Sequence, residues 1–452
     1  MDMIDAAGHP VSGSNAQSLA LFERAAHELR CLVDDPVATV DAAIAASPEM
    51  SMAHVLKAWM YLLGTEPAGV AVAGACLDAA ASLDADERER THIGAARALS
   101  QGRWHEAGLR LEDLSARFPR DTLALQVGHQ IDFFRGDSRM LRDRIARALP
   151  AWSADAPGWH AVLGMHAFGL EETGDYAAAE LQGRRAVELE PRDSWAWHAV
   201  AHVHEMRNAV QSGIDWLGSN RAVWSRDSLL ATHNSWHLAL FYLEQDDHDE
   251  VLRLYDEAIG GTGSNVVLDL VDASAMLWRL HLRDVGGVGS VSAGALRGRF
   301  NALADRWAAA WADAGGAGRY AFNDLHAMIA FVGADRPPLQ QKVIDAQHEA
   351  LHTDVDNAAF TRDVGQAATL AIQAFGRGDP TRAVTLLRPV RSVAHRFGGS
   401  HAQRDLLDLT LIEAAARSGD KPLTAALAAE RLAARPRSPF AQRLAVRCRA
   451  AA

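Results

Sequence analysis

Glycine recurs in this chain at a spacing that a single globular core does not produce. Gly102 and Gly136 lie 34 residues apart, and Gly174 is followed 34 residues later by Asn208. The neighbours recur as well. Gly102 is trailed by Trp104, Ala107 and Pro119, and Gly174 by Tyr176, Ala179, Ala186 and Pro191. Gly419 and Pro436 keep the 17-residue offset of Gly102–Pro119 and Gly174–Pro191. Each residue type has a physical task at its position. The glycine ends one helix and allows a tight turn, the aromatic opens the next helix, and the alanines let two helices approach closely. The proline stops the second helix, because its ring cannot continue one and the residue before it disfavours helix.

A helix–turn–helix repeat of about 34 residues with small and aromatic residues at these offsets is of tetratricopeptide type. Leu243 to Ala258 reads as a further turn and second helix with Asp246 in the glycine slot, and Gly333 and Gly378 mark weaker copies. The expected fold is therefore all-α: a tetratricopeptide-type α-solenoid of antiparallel helix pairs forming a right-handed superhelix. Such an array grows by stacking, so the chain length does not count its domains. Residues 1–14 are expected to be a flexible N-terminus, 15–285 an N-terminal and central repeat array, 286–294 a glycine-rich loop (GGVGSVSAG), and 295–452 C-terminal repeats packing on the same superhelix.

Charge and composition narrow the function. The formal net charge is -12, and no stretch concentrates lysine and arginine, so a nucleic-acid partner is not expected. The N-terminal MDMIDAAGHPVSGSNAQ lacks an apolar signal core, and no apolar run reaches the length of about 18 residues that spans a bilayer. Cys31, Cys76 and Cys448 form neither a disulfide framework nor a CxxC zinc pattern. These features point to a cytoplasmic chain without a membrane partner.

Chemistry concentrates in histidine. The chain has 20 histidines, and six lie between His198 and His248. WAWHAVAHVHEM carries His198, His202 and Glu205; the second pair, His233 and His237, repeats the four-residue spacing 35 residues later. Residues four apart share a helix face, so each pair can present two imidazoles together. Counting from Gly174 as repeat position 15 places His198, His202 and Glu205 at positions 5, 9 and 12, which face the concave groove of such arrays. The same count makes Glu89 and His92 concave. Two imidazoles and a carboxylate on one stripe suit a divalent transition metal, held by His198, His202 and Glu205. They also suit acid–base catalysis by His198, His202, Glu205 and His237. The alternative is that they hydrogen-bond across a packed groove. There is no HExxH, Walker A loop, GxGxxG, GxSxG elbow or EF-hand.

Further polar residues interrupt apolar helices: His129 and Asp132, then Asp269, Asp272 and Arg279, then Asp324 and His326, then His401, Arg404 and Asp405. A charge inside a packed helix must be paired or face a polar space. GGSHAQRD also reads as a helix start capped by Ser400. Trp195 and Trp236 are expected either to pack between helices or to wall a ligand pocket.

GMHAFGLEETGDYAAAELQGRRAVELEPRDSWAWHAVAHVHEM, NSWHLALFYLEQDDHDEVLRLYD, NDLHAMIAF and GGSHAQRD, in this order, resemble the tetratricopeptide repeat protein 38 family. His54–Ala58, Arg88–His92 and Pro119–Leu125 extend the likeness to the N-terminal half. The resemblance implies the repeat architecture and a polar set of His92, His129, Asp132, His198, His202, Glu205, His237, Asp272, Arg279, Asp324, His326, His401 and Arg404. Asn208 and Asp246 depart from its turn glycines. Three readings stand: a binding module for a small polar molecule or short peptide, a hydrolase- or lyase-like enzyme with Arg279 or Arg404 holding an anionic group, and a protein–protein scaffold.

Overall fold

The structure is a computed structural model that describes residues 3–283, 293–312 and 315–450. Apart from a two-stranded hairpin of Met3–Ile4 with Pro10–Val11, the described elements are helices. They follow one another as paired neighbours: Glu87–Ser100 with Trp104–Arg117, Trp159–Glu172 with Tyr176–Leu189, Ala321–Gly333 with Pro337–Ala350, and Gln366–Gly376 with Pro380–Val390. The turns fall where the repeat predicts. Gly174 has φ 88°, and Asn208 and Asp246 take φ 52° and 59°, a left-handed region that short polar side chains tolerate next after glycine. The fold is all-α and of tetratricopeptide type.

Three expectations change. The turn assigned to Gly333 belongs to Asp335, with φ 52°; Gly333 is the last residue of its helix and lies against Phe300. The loop 286–294 lies outside the described residues as far as 292, and Ala293 and Gly294 already open the helix Ala293–Trp311. The N-terminal segment, expected to be flexible, is held by side chains. The Ser12 amide donates to Glu89 Oε1 (2.9 Å), Arg88 to the Pro10 carbonyl (3.1 Å), and Ser47 Oγ to the Gly13 carbonyl (2.5 Å).

The chain divides into two compact units. The first comprises the chain up to Val203 with Asn220–Ala231; the second comprises His204–Ser219 with the chain from Thr232 onward. The division thus falls elsewhere than at the glycine-rich loop. In the first unit Phe168, fully buried, centres a core with Leu125, Leu141, Ile145 and Trp195. In the second, the buried indoles of Trp278 and Trp307 are each satisfied by a hydroxyl, Thr410 at 2.9 Å and Ser274 at 3.0 Å. Among the described residues no helix is long and apolar enough to cross a membrane.

Candidate functional site

The second unit gathers most of the expected polar set. The helix Ala231–Glu244 carries His233, Trp236 and His237. His237 Nδ1 lies 3.1 Å from Glu205 Oε2, and His233 Nδ1 lies 2.8 Å from Asp272 Oδ2. The two imidazoles meet edge to face, with centroids 4.8 Å apart. Each ring is therefore held at Nδ1 by a carboxylate, which orients it. Trp236 stacks on His233, and the Arg279 guanidinium lies 5.3 Å from a Trp236 ring centroid.

Arg279 reaches this place because it sits on the inner face of the helix Val267–Arg283. It is 3% exposed and among the described residues donates only to main-chain oxygens, Ala402 at 2.6 Å and Ala275 at 3.4 Å. No carboxylate among the described residues lies within 4.0 Å of it. Burial lowers its pKa, partly offset by the more distant Asp405 and Glu205. It lines a small cavity of about 30 Å³ with Arg283, Arg431 and Arg435, against Glu205, Glu244 and Asp405. Arg431 is committed to Asp405 through bonds of 2.8 and 3.1 Å. Arg435 approaches Glu205 at 3.7 Å, and Arg283 approaches Glu244 at 3.6 Å. Burial also lowers the Arg283 pKa, to about 10. Four guanidiniums against three carboxylates leave the lining one charge positive.

In the first unit His198 and His202 are buried with ring centroids 4.4 Å apart, and Phe168 packs on both. The carboxylate that reaches His202 is one the sequence reading passed over: Glu171 Oε2, 3.3 Å from His202 Nδ1. Glu171, Glu172 and His202 offer ligand atoms that all lie within 4.8 Å of one another. His129 and Trp195 meet edge to face at 5.8 Å and line a cavity with Arg30, Gln126 and Asp193. Burial, then Arg144, lowers the His129 pKa to about 3, so the ring is neutral. Of the three residues read as one stripe, His198 and His202 fall in the first unit and Glu205 in the second.

Other expected site residues are tied into the scaffold. His92 and Glu89, expected on the concave face, are fully buried. His92 Nε2 is 3.0 Å from Asp121 Oδ2, and its Nδ1 accepts from Trp59 Nε1 at 3.3 Å. Asp132 is bonded twice to Arg144. Asp324 accepts from the Gly318 amide (2.9 Å) and Gln347 Nε2 (3.3 Å). His326 Nδ1 donates to the Phe322 carbonyl of its own helix (2.8 Å), and the nearby positive Arg279 helps to keep it neutral. His401 is exposed at the first turn of His401–Arg417, where Ser400 is the cap and Gln403 completes a capping box. Arg404 turns back to the Gly399 carbonyl.

No family model matches this chain. Among solved structures, human IFIT1 as a dimer with m7Gppp-AAAA is similar at 13% identity over 97% of this chain and 95% of that one, with a TM-score of 0.43. The IFIT1 dimer with PPP-AAAA gives 12% identity, the same coverage and 0.42. A solved TPR domain gives 14% identity over 90% and 99%, with 0.20. Likeness at this level carries no functional argument.

Proposed function

We propose that the protein is a helical-repeat binding module that takes a small anion, or the carboxylate end of a small polar molecule or short peptide, at Arg279. Membership of the tetratricopeptide repeat protein 38 family, suggested by the sequence motifs, belongs to this proposal. The observation that carries it is a guanidinium, 3% exposed, that among the described residues bonds only to carbonyl oxygens and faces a cavity lined by three more arginines and three carboxylates. A buried cation of this kind is costly until a counter-charge arrives, and a guanidinium matches carboxylate or phosphate with two parallel bonds. A cavity of about 30 Å³ admits the head of an anion and excludes a folded partner. The Trp236 ring packs against the Arg279 guanidinium.

The test is thermal unfolding of the full chain with acetate or inorganic phosphate, at constant ionic strength, beside Arg279→Met. Stabilisation of about 2.7 kcal/mol at a hundredfold excess over Kd, absent in the variant, is expected. An equal gain in both proteins, or no anion-specific gain, overturns the reading.

The paired dyads support a second reading as an enzyme. His237 with Glu205 and His233 with Asp272 are two oriented imidazoles on one helix face, suited to moving protons or to joining a metal. Elemental analysis and chelation of the purified chain test it: an absence of metal together with unchanged stability removes the metal version.

A further inference from the structure

The first unit holds a second cluster of donor atoms that owes nothing to the residues above. His27 and Cys31 stand four apart in the last turns of the helix Ala16–Cys31, and His160 stands at the start of the helix Trp159–Glu172. One ligand atom from each lies within 4.8 Å of the others. Cys31 Sγ is 3.8 Å from His27 Nε2. Around a tetrahedral zinc the sulfur and nitrogen ligands stand about 3.6 Å apart, so little adjustment is needed. The surroundings complete the pattern. Glu190 Oε2 lies 3.7 Å from His27 Nε2, and Asp193 Oδ2 lies 2.7 Å from His160 Nδ1. Asp193 is itself anchored as it accepts from the Ala196 amide at 2.9 Å. Metal-bound histidines are oriented by just such a carboxylate on the far nitrogen, which leaves Nε2 for the ion.

We propose that His27, Cys31 and His160, with Glu190 as fourth donor, form a site for one thiophilic divalent cation of the zinc class. On binding, the Cys31 thiol gives its proton to solvent and its sulfur bonds the metal; nothing is oxidised or reduced. Two carboxylates, Asp193 and Glu190, act on the Cys31 thiol, against the guanidiniums of Arg30 and Arg192. Entry is open, since the His27 side chain is 44% exposed and that of Glu190 25%, whereas Cys31 is fully buried.

The test is titration of the full-length, chelator-stripped protein with Co²⁺. One equivalent should give a thiolate-to-cobalt charge-transfer band and the strong d–d bands of a tetrahedral ion, both displaced by Zn²⁺. Cys31→Ser should lose the charge-transfer band. His27→Ala, a change at the surface, should weaken binding at least 10-fold with circular dichroism unchanged. It decides the matter if the serine variant does not fold. A wild-type protein without the band, a band that persists in Cys31→Ser, or unchanged affinity in His27→Ala overturns the site. Glu171, Glu172 and His202 contain no sulfur, so metal bound there gives d–d absorption without the thiolate band.

Discussion

Arg144 holds Asp132 with two parallel hydrogen bonds, Nε to Oδ2 at 2.7 Å and an amino nitrogen to Oδ1 at 3.0 Å, and both side chains are buried. Gly128 makes room for it: a Cβ there would stand 2.8 Å from the guanidinium. Removing one partner strands the other charge. Arg144→Met is therefore expected to cost about 3–5 kcal/mol in urea denaturation, and the double variant with Asp132→Leu to recover much of that loss. Anion binding at Arg279 should be unaffected. A double variant as unstable as the single one would contradict a pair that is held by charge.

Asp121 and Asp193 solve one problem twice. Each ends a Pro-Arg-Asp run and caps the following helix, Asp121 for the Ala124 amide and Asp193 for that of Ala196. Each also takes a histidine from the preceding repeat: His92 at 3.0 Å, His160 at 2.7 Å. Asp121 further accepts from Arg88 at 2.9 Å. Burial opposes the charge on Asp121, but His92, Arg88 and the Ala124 amide together hold its pKa well below the usual range. Asp121→Ala should cost about 3 kcal/mol or more, because it removes a cap and strands Arg88. His92→Ala should cost about 2–4 kcal/mol through the cavity and the orphaned Trp59 indole. Chemical denaturation reads both, and a loss under about 1 kcal/mol in either excludes the bridging role.

What the sequence discloses of this molecule follows from how each feature is encoded. Gly174 and Tyr176 announce a turn and a helix start because steric rules act on single residues at fixed offsets. The Gly333 assignment misled because Asp335, two residues on, does the same backbone work without being glycine. The histidines of the central segment stood out by number and spacing. Glu205 stood out beside them, but Glu171 did not, since it reaches His202 from a neighbouring helix. His92, Asp132 and Asp324 looked like pocket residues because a buried charge in an apolar helix must be paired or face a polar space. Only coordinates reveal that Asp121, Arg144 and Gln347 supply the partners. His27 and Cys31 carried a four-residue spacing, but the third donor, His160, is far away in sequence.

The N-terminal hairpin acts as a clasp on the first unit. It gives Glu89 the Ser12 amide and Arg88 the Pro10 carbonyl, and Gly13 runs so close to the Glu49 carbonyl that a side chain there cannot fit. Gly13 also has φ 68°. Deleting residues 1–14 should expose Glu89 and Arg88 and lower stability by about 1–3 kcal/mol, with Gly13→Ala giving a smaller loss in the same direction. Thermal unfolding and limited proteolysis measure this. Equal melting temperatures for the truncated and intact chains would mean that the clasp contributes nothing.

Asp324 and His326 are two residues apart on one helix and respond to pH in opposite senses. Burial raises Asp324 to about 7, against 3.8 ordinarily, and the Gly318 amide and Gln347 only partly offset this. Between those values the folded state holds a proton that the unfolded state has released, so this group's contribution falls as pH rises through about 7 and is flat above. Burial lowers His326 to about 4, against 6.5 ordinarily. Its contribution is full above 6.5 and is lost as pH falls toward 4. Asp324→Asn removes the first effect alone. It keeps an acceptor for the Gly318 amide and adds a donor beside Gln347, whose Oε1 has no hydrogen-bond partner. The variant should match the native chain near pH 4 and exceed it by roughly 1–4 kcal/mol above pH 7. Denaturation at pH 4.5, 6 and 8 measures the difference. A gap that stays constant across the three would show that Asp324 is already ionised in the folded chain at the lowest pH.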